Sequence, residues 1–232
     1  MKKIGLIVFV VAVGIGVTVA SLFSWGKATE SIVNFKVNFG AEKGSGNVAS
    51  EKREVSEFSK LDVSHVFQVE VTAQSEYAIE VEADDNLLQF IKTEVRGDTL
   101  HIDLDQRVKT GNAMKIRISA PDIERVDASG ASRVNISNLK NSELTVDTSG
   151  ASKINASGET GNLIVDVSGA SQLDLGGLSA TAANIDASGA SKVNVNVANE
   201  LIADASGASR ITYTGAPKVR KSTSGASSVS QQ

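Results

Sequence analysis

The sequence predicts an all-β fold, a single-stranded parallel β-helix (β-solenoid) in which near-identical coils stack on one another. The tetrapeptide Ser-Gly-Ala-Ser occurs six times in the C-terminal half of the 232-residue chain, at intervals of 18 to 20 residues. Apolar and polar residues alternate around each copy, as they do in a half-buried strand. A period of about 19 residues is too short for two packed helices, and each coil can bury its apolar face only against its neighbours.

The composition of this half predicts a narrow aliphatic interior. Only Tyr213 is aromatic beyond Phe90, so Val, Ile, Leu and Ala must fill the core. Ser, Gly and Asn are abundant between the apolar stretches, which favours strands joined by tight polar turns. We therefore expect regular coils over 126–232. Irregular β coils are expected over 54–125, where shorter alternating stretches surround one or two helical turns after Asp85.

Each Ser-Gly-Ala-Ser copy is expected at a bend of the strand. Simple alternation puts Val126, Ala128, Gly130, Ser132 and Val134 on one face of the first copy. Glycine would supply a conformation or a close approach that a Cβ blocks, and serine would satisfy backbone groups at the corner. The glycines with this structural role are Gly130, Gly150, Gly169, Gly189, Gly207 and Gly225.

Stacking also predicts a column of outward carboxylates about 5 Å apart. It could form a row of divalent-cation sites, or an acid/base cluster like those of β-helical polysaccharide-cleaving enzymes. We favour a solvated column balanced by basic residues, because a catalytic site needs a unique cluster and a repeat copies every residue. The carboxylates are Asp127, Asp147, Asp166, Asp186 and Asp204. The balancing residues, six positions after four of them, are Arg133, Lys153, Lys192 and Arg210.

The remaining composition points to no catalytic, cofactor or metal site. The formal net charge is −4 with acidic and basic residues well mixed along the chain, so neither nucleic acid nor another polyanion is the expected partner. The chain has no Cys, and its two histidines, His65 and His101, are isolated in strand-like stretches. No phosphate-binding or dinucleotide fingerprint is present, because the repeat lacks the further glycines that such loops need.

The first residues predict export. Lys2 and Lys3 precede an apolar run over 4–23, whose length lies between that of a cleaved leader and that of a spanning helix. Both a signal peptide and an uncleaved N-terminal membrane anchor over 1–25 therefore stay open. A linker is expected over 26–53, where charges are scattered around a Gly-Ser-Gly stretch.

Several stretches together resemble the bacterial head GIN domain family, described as putative auto-transporter adhesins. They are Phe58-Ser-Lys-Leu-Asp-Val-Ser, Val66-Phe-Gln-Val-Glu-Val, Asp84-Asp-Asn-Leu-Leu, Gly97-Asp-Thr-Leu-His-Ile and the repeated Asp-X-Ser-Gly-Ala-Ser. Ser64 stands where such proteins often have Gly. The resemblance implies a right-handed β-helix on the outer side of the cytoplasmic membrane, and it transfers no catalytic residue.

These observations predict a non-enzymatic β-solenoid of the cell envelope that acts in adhesion or surface interaction. A glycan or a surface protein is the expected partner, with membrane contact through the N-terminal segment if it is uncleaved. Two alternatives remain open: a β-helical polysaccharide lyase or hydrolase, and an envelope structural or sensing module that signals through an N-terminal anchor. The specific function is expected in the irregular coils or at the ends of the rod.

Overall fold

The computed structural model describes residues 40–232. The predicted export signal or anchor over 1–25, and the first part of the predicted linker over 26–53, lie outside the described residues. No helix within residues 40–232 combines the length and the apolar character that crossing a membrane requires. The secondary structure of this part is almost entirely β, so the predicted fold class is confirmed.

Seventeen strands and one short 3-10 helix form the described part of the chain. The strands before the regular repeat are β1 (Glu42–Lys43), β2 (Val48–Arg53), β3 (Lys60–Val63), β4 (Gln68–Ala73), β5 (Ala78–Asp84), β6 (Ile91–Arg96), β7 (Thr99–Leu104), β8 (Val108–Lys109), β9 (Lys115–Ala120) and β10 (Arg125–Ala128). Those of the repeat are β11 (Arg133–Thr148), β12 (Lys153–Val167), β13 (Gln172–Ala187), β14 (Lys192–Ala205), β15 (Arg210–Thr214), β16 (Lys218–Thr223) and β17 (Ser228–Gln231). The helical turns expected after Asp85 reduce to the 3-10 helix Leu88–Phe90, after which the chain continues directly into β6.

The repeat builds a solenoid of about five turns. Strands β11 to β14 each run from one Ser-Gly-Ala-Ser corner to the next and pair in parallel with the strand one coil away. The last turns continue in the same register, with β15 and β16 on β14 and β17 on β15. Sequence-equivalent residues therefore face each other directly, which is the arrangement that the period predicts.

The core is a continuous aliphatic column inside the coils. In β11 the buried residues Val134 and Ile136 are followed by Leu139 and then by Leu144 and Val146, so the inside-outside alternation slips twice within one coil. Because a slip by one residue turns the chain to a new face, this coil has two further bends besides the Ser-Gly-Ala-Ser corner. At the first of these bends Asn138 adopts a φ of 61°. Small branched side chains fit this narrow interior.

The glycine at each corner is in the left-handed region, with φ between 70° and 83° in all six copies. The chain passes so close to the coil before it that a Cβ on Gly169 would lie 2.4 Å from the carbonyl oxygen of Gly150. The next residue, Ala170, donates its N–H to that same oxygen at 2.8 Å. Simple alternation was wrong for Gly130, which is exposed because the left-handed residue turns the chain outward, and correct for Ser132, which is buried.

The fourth residue of the first five motifs forms a buried column of serines. Ser132, Ser152, Ser171, Ser191 and Ser209 are each at most 2% exposed. Four of these hydroxyls donate to the backbone carbonyl three residues earlier, as the Oγ of Ser209 does to Ser206 at 2.8 Å. The Oγ of Ser132 pairs instead with that of Ser152 at 3.4 Å. A buried hydroxyl without such a partner would be destabilising. The predicted role of serine at the corner is thus present in the structure.

The first coils do not stack in chain order. Strand β3 lies between β7 and β10, and β4 lies between β9 and β11, so the coil 60–73 separates the coil 99–120 from the repeat. In this coil His65 occupies the place of the corner glycine, with φ 65°, and Ala131 donates to its carbonyl oxygen. His65 is therefore the structural equivalent of the corner glycine in this coil.

Antiparallel strands close the N-terminal end of the solenoid. Strand β6 pairs with β7, β5 pairs with β9, and β2 pairs with β5. Residues 48–53, within the segment expected to be a linker, thus belong to the sheet. Their alternation is weak because only one side of this outer strand has contact with the protein, as the mostly exposed residues of β2 show.

At the C-terminal end the outer edges of β16 and β17 have no strand partner among the described residues. Lys221 is in register with the buried Ala203, so it occupies a position that is apolar in the preceding coil. Its Nζ lies 3.1 Å from the carbonyl oxygen of Val229. A charged residue at an inward position prevents a sheet end from recruiting another strand, because the charge would have to be buried.

The corner geometry predicts a graded series of glycine substitutions. Gly169→Ala should lower the free energy of unfolding by about 2 kcal/mol or more, because it combines a left-handed φ with a backbone clash. Gly97→Ala, with φ 66° and open space around it, should cost only about 1 kcal/mol. Gly111→Ala, which has neither constraint, should be close to neutral. Urea unfolding followed by circular dichroism measures all three, and equal effects would contradict the stacking argument.

The capped end predicts an effect of Lys221 on association. Lys221→Val should expose an apolar strand end and produce concentration-dependent end-to-end oligomers, measured as a rise in mass by sedimentation velocity. Lys218→Val, which changes an exposed outward residue on the same strand, should leave the mass unchanged. If both variants have the same mass as the original protein, Lys221 does not protect this end.

Candidate functional site

The structure places the five predicted carboxylates in one column on the outer surface of the solenoid. Asp127 pairs in register with Asp147, and the column continues through Asp166, Asp186 and Asp204. Asp127 and Asp147 are half-buried and the other three are exposed. We call this set, together with Asp62, the acidic ladder. Asp62 lies on β3 in register with Asp127, although it is 65 residues earlier in the chain.

Sequence reasoning missed Asp62, although a signal was present. The stretch Leu61-Asp62-Val63-Ser64 has the same order of apolar, acidic, apolar and serine residues as Val126-Asp127-Ala128-Ser129. The two stretches occupy equivalent positions on neighbouring coils. Gly is absent from the earlier copy because His65 replaces it, so a search based on Ser-Gly-Ala-Ser does not find it.

A groove of about 340 Å³ runs along the N-terminal part of the acidic ladder, from Asp62 to Asp166. Four carboxylates line it on one side, and the first serine of each corner motif lies two positions further along each strand. The lining carboxylates are Asp62, Asp127, Asp147 and Asp166, and the lining serines are Ser129, Ser149 and Ser168. Within residues 40–232, no three acidic or histidine side chains converge closely enough to hold a metal ion.

The acidic ladder is balanced by different residues from those that the sequence suggested. Arg125 contacts both Asp127, at 3.0 Å, and Asp147. At the N-terminal end of the ladder, Nδ1 of His101 lies 2.9 Å from Asp62. None of the four basic residues expected to offset the ladder forms an ion pair with it among the described residues, because the Ser-Gly-Ala-Ser corner turns them onto the next face.

Asp147 is the carboxylate most affected by this crowding. Burial raises the pKa of its carboxyl group above the ordinary value, the nearby charges of Asp127 and Asp166 add to the rise, and Arg125 opposes it. The folded state therefore binds this proton more tightly than the unfolded state does. By linkage, the protein loses stability as the pH rises from the ordinary carboxyl pKa through the higher folded-state pKa.

The N-terminal coils contain a Ser-His-Asp cluster, but its geometry is not that of a proton relay. Nδ1 of His65 lies 2.7 Å from Asp103 and 3.0 Å from the Oγ of Ser64, and that Oγ also donates to Asp103 at 2.8 Å. A relay uses the two ring nitrogens separately, one for serine and one for the carboxylate. Here a single nitrogen contacts both, so the cluster fixes the corner at His65 and does not activate the serine.

Asp84 is the buried acid of the described residues. Its carboxylate accepts hydrogen bonds from the Thr110 hydroxyl and the Asn112 side-chain amide, both at 2.5 Å. These bonds, with Thr110 contributing most and a backbone contact at Gly46 adding to them, lower the pKa of Asp84. The carboxylate therefore joins the loop after β8 to the end of β5. With all of these partners satisfied, it has a structural role.

A second groove of about 340 Å³ lies on the sheet formed by β4, β9 and β5. Arg117 lies at its centre and contacts Glu82, Glu80 and Glu70 at 3.0, 3.3 and 3.7 Å. Lys115 contacts Glu82 at 2.8 Å. Each of these charges has a partner of opposite sign, so the groove has a paired ionic surface.

The basic residues of the repeat form a second column, which we call the cation ladder. It comprises Arg133, Lys153, Lys192 and Arg210, with Gln172 on the rung between Lys153 and Lys192. The side chains follow the buried corner serines directly, and all of these residues are exposed except Lys153, which is half-buried. The repeat thus carries an acidic ladder and a cation ladder on opposite sides of one corner.

A parallel β-solenoid with one repeated corner and two charged ladders is the class of protein that the fold and surface define. The chain belongs to the head GIN domain family: residues 57–217 match the family described as "Putative auto-transporter adhesin, head GIN domain". This confirms the resemblance found in the sequence. The family description indicates a cell-surface or exported protein. No curated protein is similar enough in sequence to count as a relative.

Solved structures share this fold. A putative adhesin from Bacteroides fragilis is 21% identical, with a TM-score of 0.69 over 82% of this chain and 99% of that chain. A putative lipid binding protein from Parabacteroides distasonis is 19% identical, with a TM-score of 0.53 over 83% and 100%. A putative adhesin from the same organism is 16% identical, with a TM-score of 0.50 over 83% and 100%. At these identities the likeness extends to the fold alone.

The raised pKa of Asp147 predicts the effect of its neutralisation. Asp147→Asn should raise the melting temperature at pH 7, because it removes a crowded charge while leaving an oxygen that can accept from Arg125. The advantage should shrink as the pH falls towards the ordinary carboxyl range near about 4, where the original side chain becomes protonated. Asp186→Asn, at an exposed rung, is the matched control. Scanning calorimetry over pH that finds a lower melting temperature for Asp147→Asn at pH 7 would contradict this account.

Proposed function

We propose that this chain is a non-enzymatic surface-interaction module of the cell envelope, an adhesin that presents the solenoid outside the cytoplasmic membrane. The observation that carries the proposal is the repetition of outward side chains in register over many coils. Such columns offer many weak contacts along a line, which suits an extended partner. Catalysis requires instead a few groups that converge on one reacting atom.

Three further points support this function. The family description is that of an adhesin, and similar solved structures from Bacteroides fragilis and Parabacteroides distasonis are named putative adhesins. The carboxylates of the acidic ladder repeat in register from coil to coil. The Ser64, His65 and Asp103 cluster has one ring nitrogen in contact with both partners, which does not activate a nucleophile.

A bead assay tests the proposal. Beads coated with the full-length chain should be retained on surfaces coated with glycans or envelope proteins, and beads coated with heat-unfolded chain should not. In parallel, a panel of soluble polysaccharides incubated with the chain should show no new reducing ends and no unsaturated products.

The opposite result identifies an enzyme. If the chain cleaves a polysaccharide, and if Asp166→Asn or Asp186→Asn abolishes that cleavage, the adhesin proposal fails and the β-helical lyase or hydrolase replaces it. A failure of the beads to adhere to any surface would also overturn the proposal.

A further inference from the structure

The cation ladder brings together, in one row, residues that are far apart in the sequence. Its members are 18 to 20 residues apart in the chain, yet parallel pairing places them on five consecutive rungs that include Gln172. With strands about 4.8 Å apart, the ladder extends for about 19 Å along the solenoid axis. The well-mixed charge of the sequence thus becomes segregated in the folded protein.

The four cations of the ladder have no carboxylate within 4.0 Å among residues 40–232. Several basic residues of the earlier coils differ in this respect, since Lys60, Lys92, Lys115, Arg117 and Arg125 each contact at least one acid. Like charges on neighbouring rungs repel each other, and a row of them creates a positive potential along its length. An anion bound along the row would relieve the repulsion at every rung at once.

The cation ladder lies between a row of small alanines and a row of polar side chains. On the corner side, the third residue of each motif is an exposed alanine, which leaves the cations accessible: Ala131, Ala151, Ala170, Ala190 and Ala208. On the other side, two positions further along each strand, lies a ladder of amides, an acid and a hydroxyl: Asn135, Asn155, Asp174, Asn194 and Thr212. Asp174 stands on the rung of Gln172 and accepts from Asn194 at 3.1 Å.

We propose that the cation ladder binds a linear anionic polysaccharide with one carboxylate on each sugar, lying along the solenoid axis. This rests on the proposed function and names the class of partner. A sugar ring in an extended chain advances by about the spacing of one strand, so successive carboxylates meet successive rungs. The adjacent amides supply hydrogen-bond donors and acceptors for the sugar hydroxyls.

A single-stranded nucleic acid fits this surface less well, although it is also a polyanion. Proteins that bind single strands combine a cationic track with aromatic side chains on which the bases stack. Beyond Phe90 the chain has only one aromatic residue, Tyr213, which is in register with the buried Val195 and so is turned inward. The ladder offers charge and hydrogen bonds without a stacking platform.

Polygalacturonate, which carries one carboxylate per sugar, is the probe for the test. The purified full-length chain should bind immobilised polygalacturonate and should not bind the same polymer after full methyl esterification, which removes the charge and keeps the backbone. The affinity should fall roughly tenfold or more between about 50 and 200 mM salt, because several ion contacts release counterions. A fluorescently labelled oligo(dT) measures the binding of nucleic acid in parallel.

A matched pair of variants locates the binding. The ladder variant combines Arg133→Gln, Lys153→Gln, Lys192→Gln and Arg210→Gln, and it should fold because Gln172 already occupies this column. Its affinity for polygalacturonate should fall at least tenfold. The control variant removes four cations elsewhere: Lys43→Gln, Lys52→Gln, Lys109→Gln and Lys140→Gln. Its affinity should match that of the original chain, and circular dichroism verifies the fold of both.

Each contrary outcome overturns the proposal in a distinct way. Equal binding by the ladder variant and the original chain would place the site elsewhere, and absence of polygalacturonate binding would remove the partner class. Oligo(dT) binding as tight as that of polygalacturonate would replace the glycan by a nucleic acid. If beads carrying the ladder variant still adhere to glycan- or protein-coated surfaces, the ladder proposal fails while the proposed function remains.

Discussion

The stacking of one corner on the next is the constraint on which the structure depends. At each corner a left-handed glycine brings the backbone against the previous coil, and the following alanine donates to the glycine carbonyl oxygen of that coil at 2.7 or 2.8 Å. A Cβ at this position would lie within about 2.4 to 2.7 Å of that same oxygen in the repeat. The corner therefore fixes the register of each coil, and the buried serine column and the aliphatic core follow from it.

The same constraint determines how charge is distributed. Because register is fixed at every corner, a residue duplicated with the repeat becomes a column, and a column of like charges must be paired or must face solvent. The acidic ladder uses both solutions. Its N-terminal rungs pair with Arg125 and His101. The remaining carboxylates, Asp166, Asp186 and Asp204, are exposed. The cation ladder faces solvent, with only Lys153 half-buried. The net charge of −4 for the whole chain does not reveal either column, because the columns form only when the coils stack.

The repeat could be predicted from the sequence because its signals are local: the period, the alternation and the glycine all lie within one coil. The order of the first coils could not, because β3 pairs with β10 across more than sixty residues and the matching stretch 61–64 lacks the Gly-Ala-Ser that marks the other copies. Asp62 was missed for this reason, and His65 concealed a corner by occupying a left-handed position that glycine usually takes. The ion-pair partners of the acidic ladder were assigned wrongly because the residues before and after a corner were taken to share one outer face, whereas the corner puts them on different faces.

The difference between paired and unpaired charges bears on where recognition takes place. The sequence suggested the irregular coils or the rod ends, since a unique function usually needs unique residues. In the structure the charges of the irregular coils are largely satisfied: Arg117 alone contacts three glutamates, and Asp84 is fully hydrogen-bonded. Such networks stabilise a fold and leave little for a ligand. The cation ladder of the repeat has the opposite character, since the backbone holds its four cations in line and none of them forms an ion pair within residues 40–232. Regularity, which argues against catalysis, is the property that an extended polymer requires.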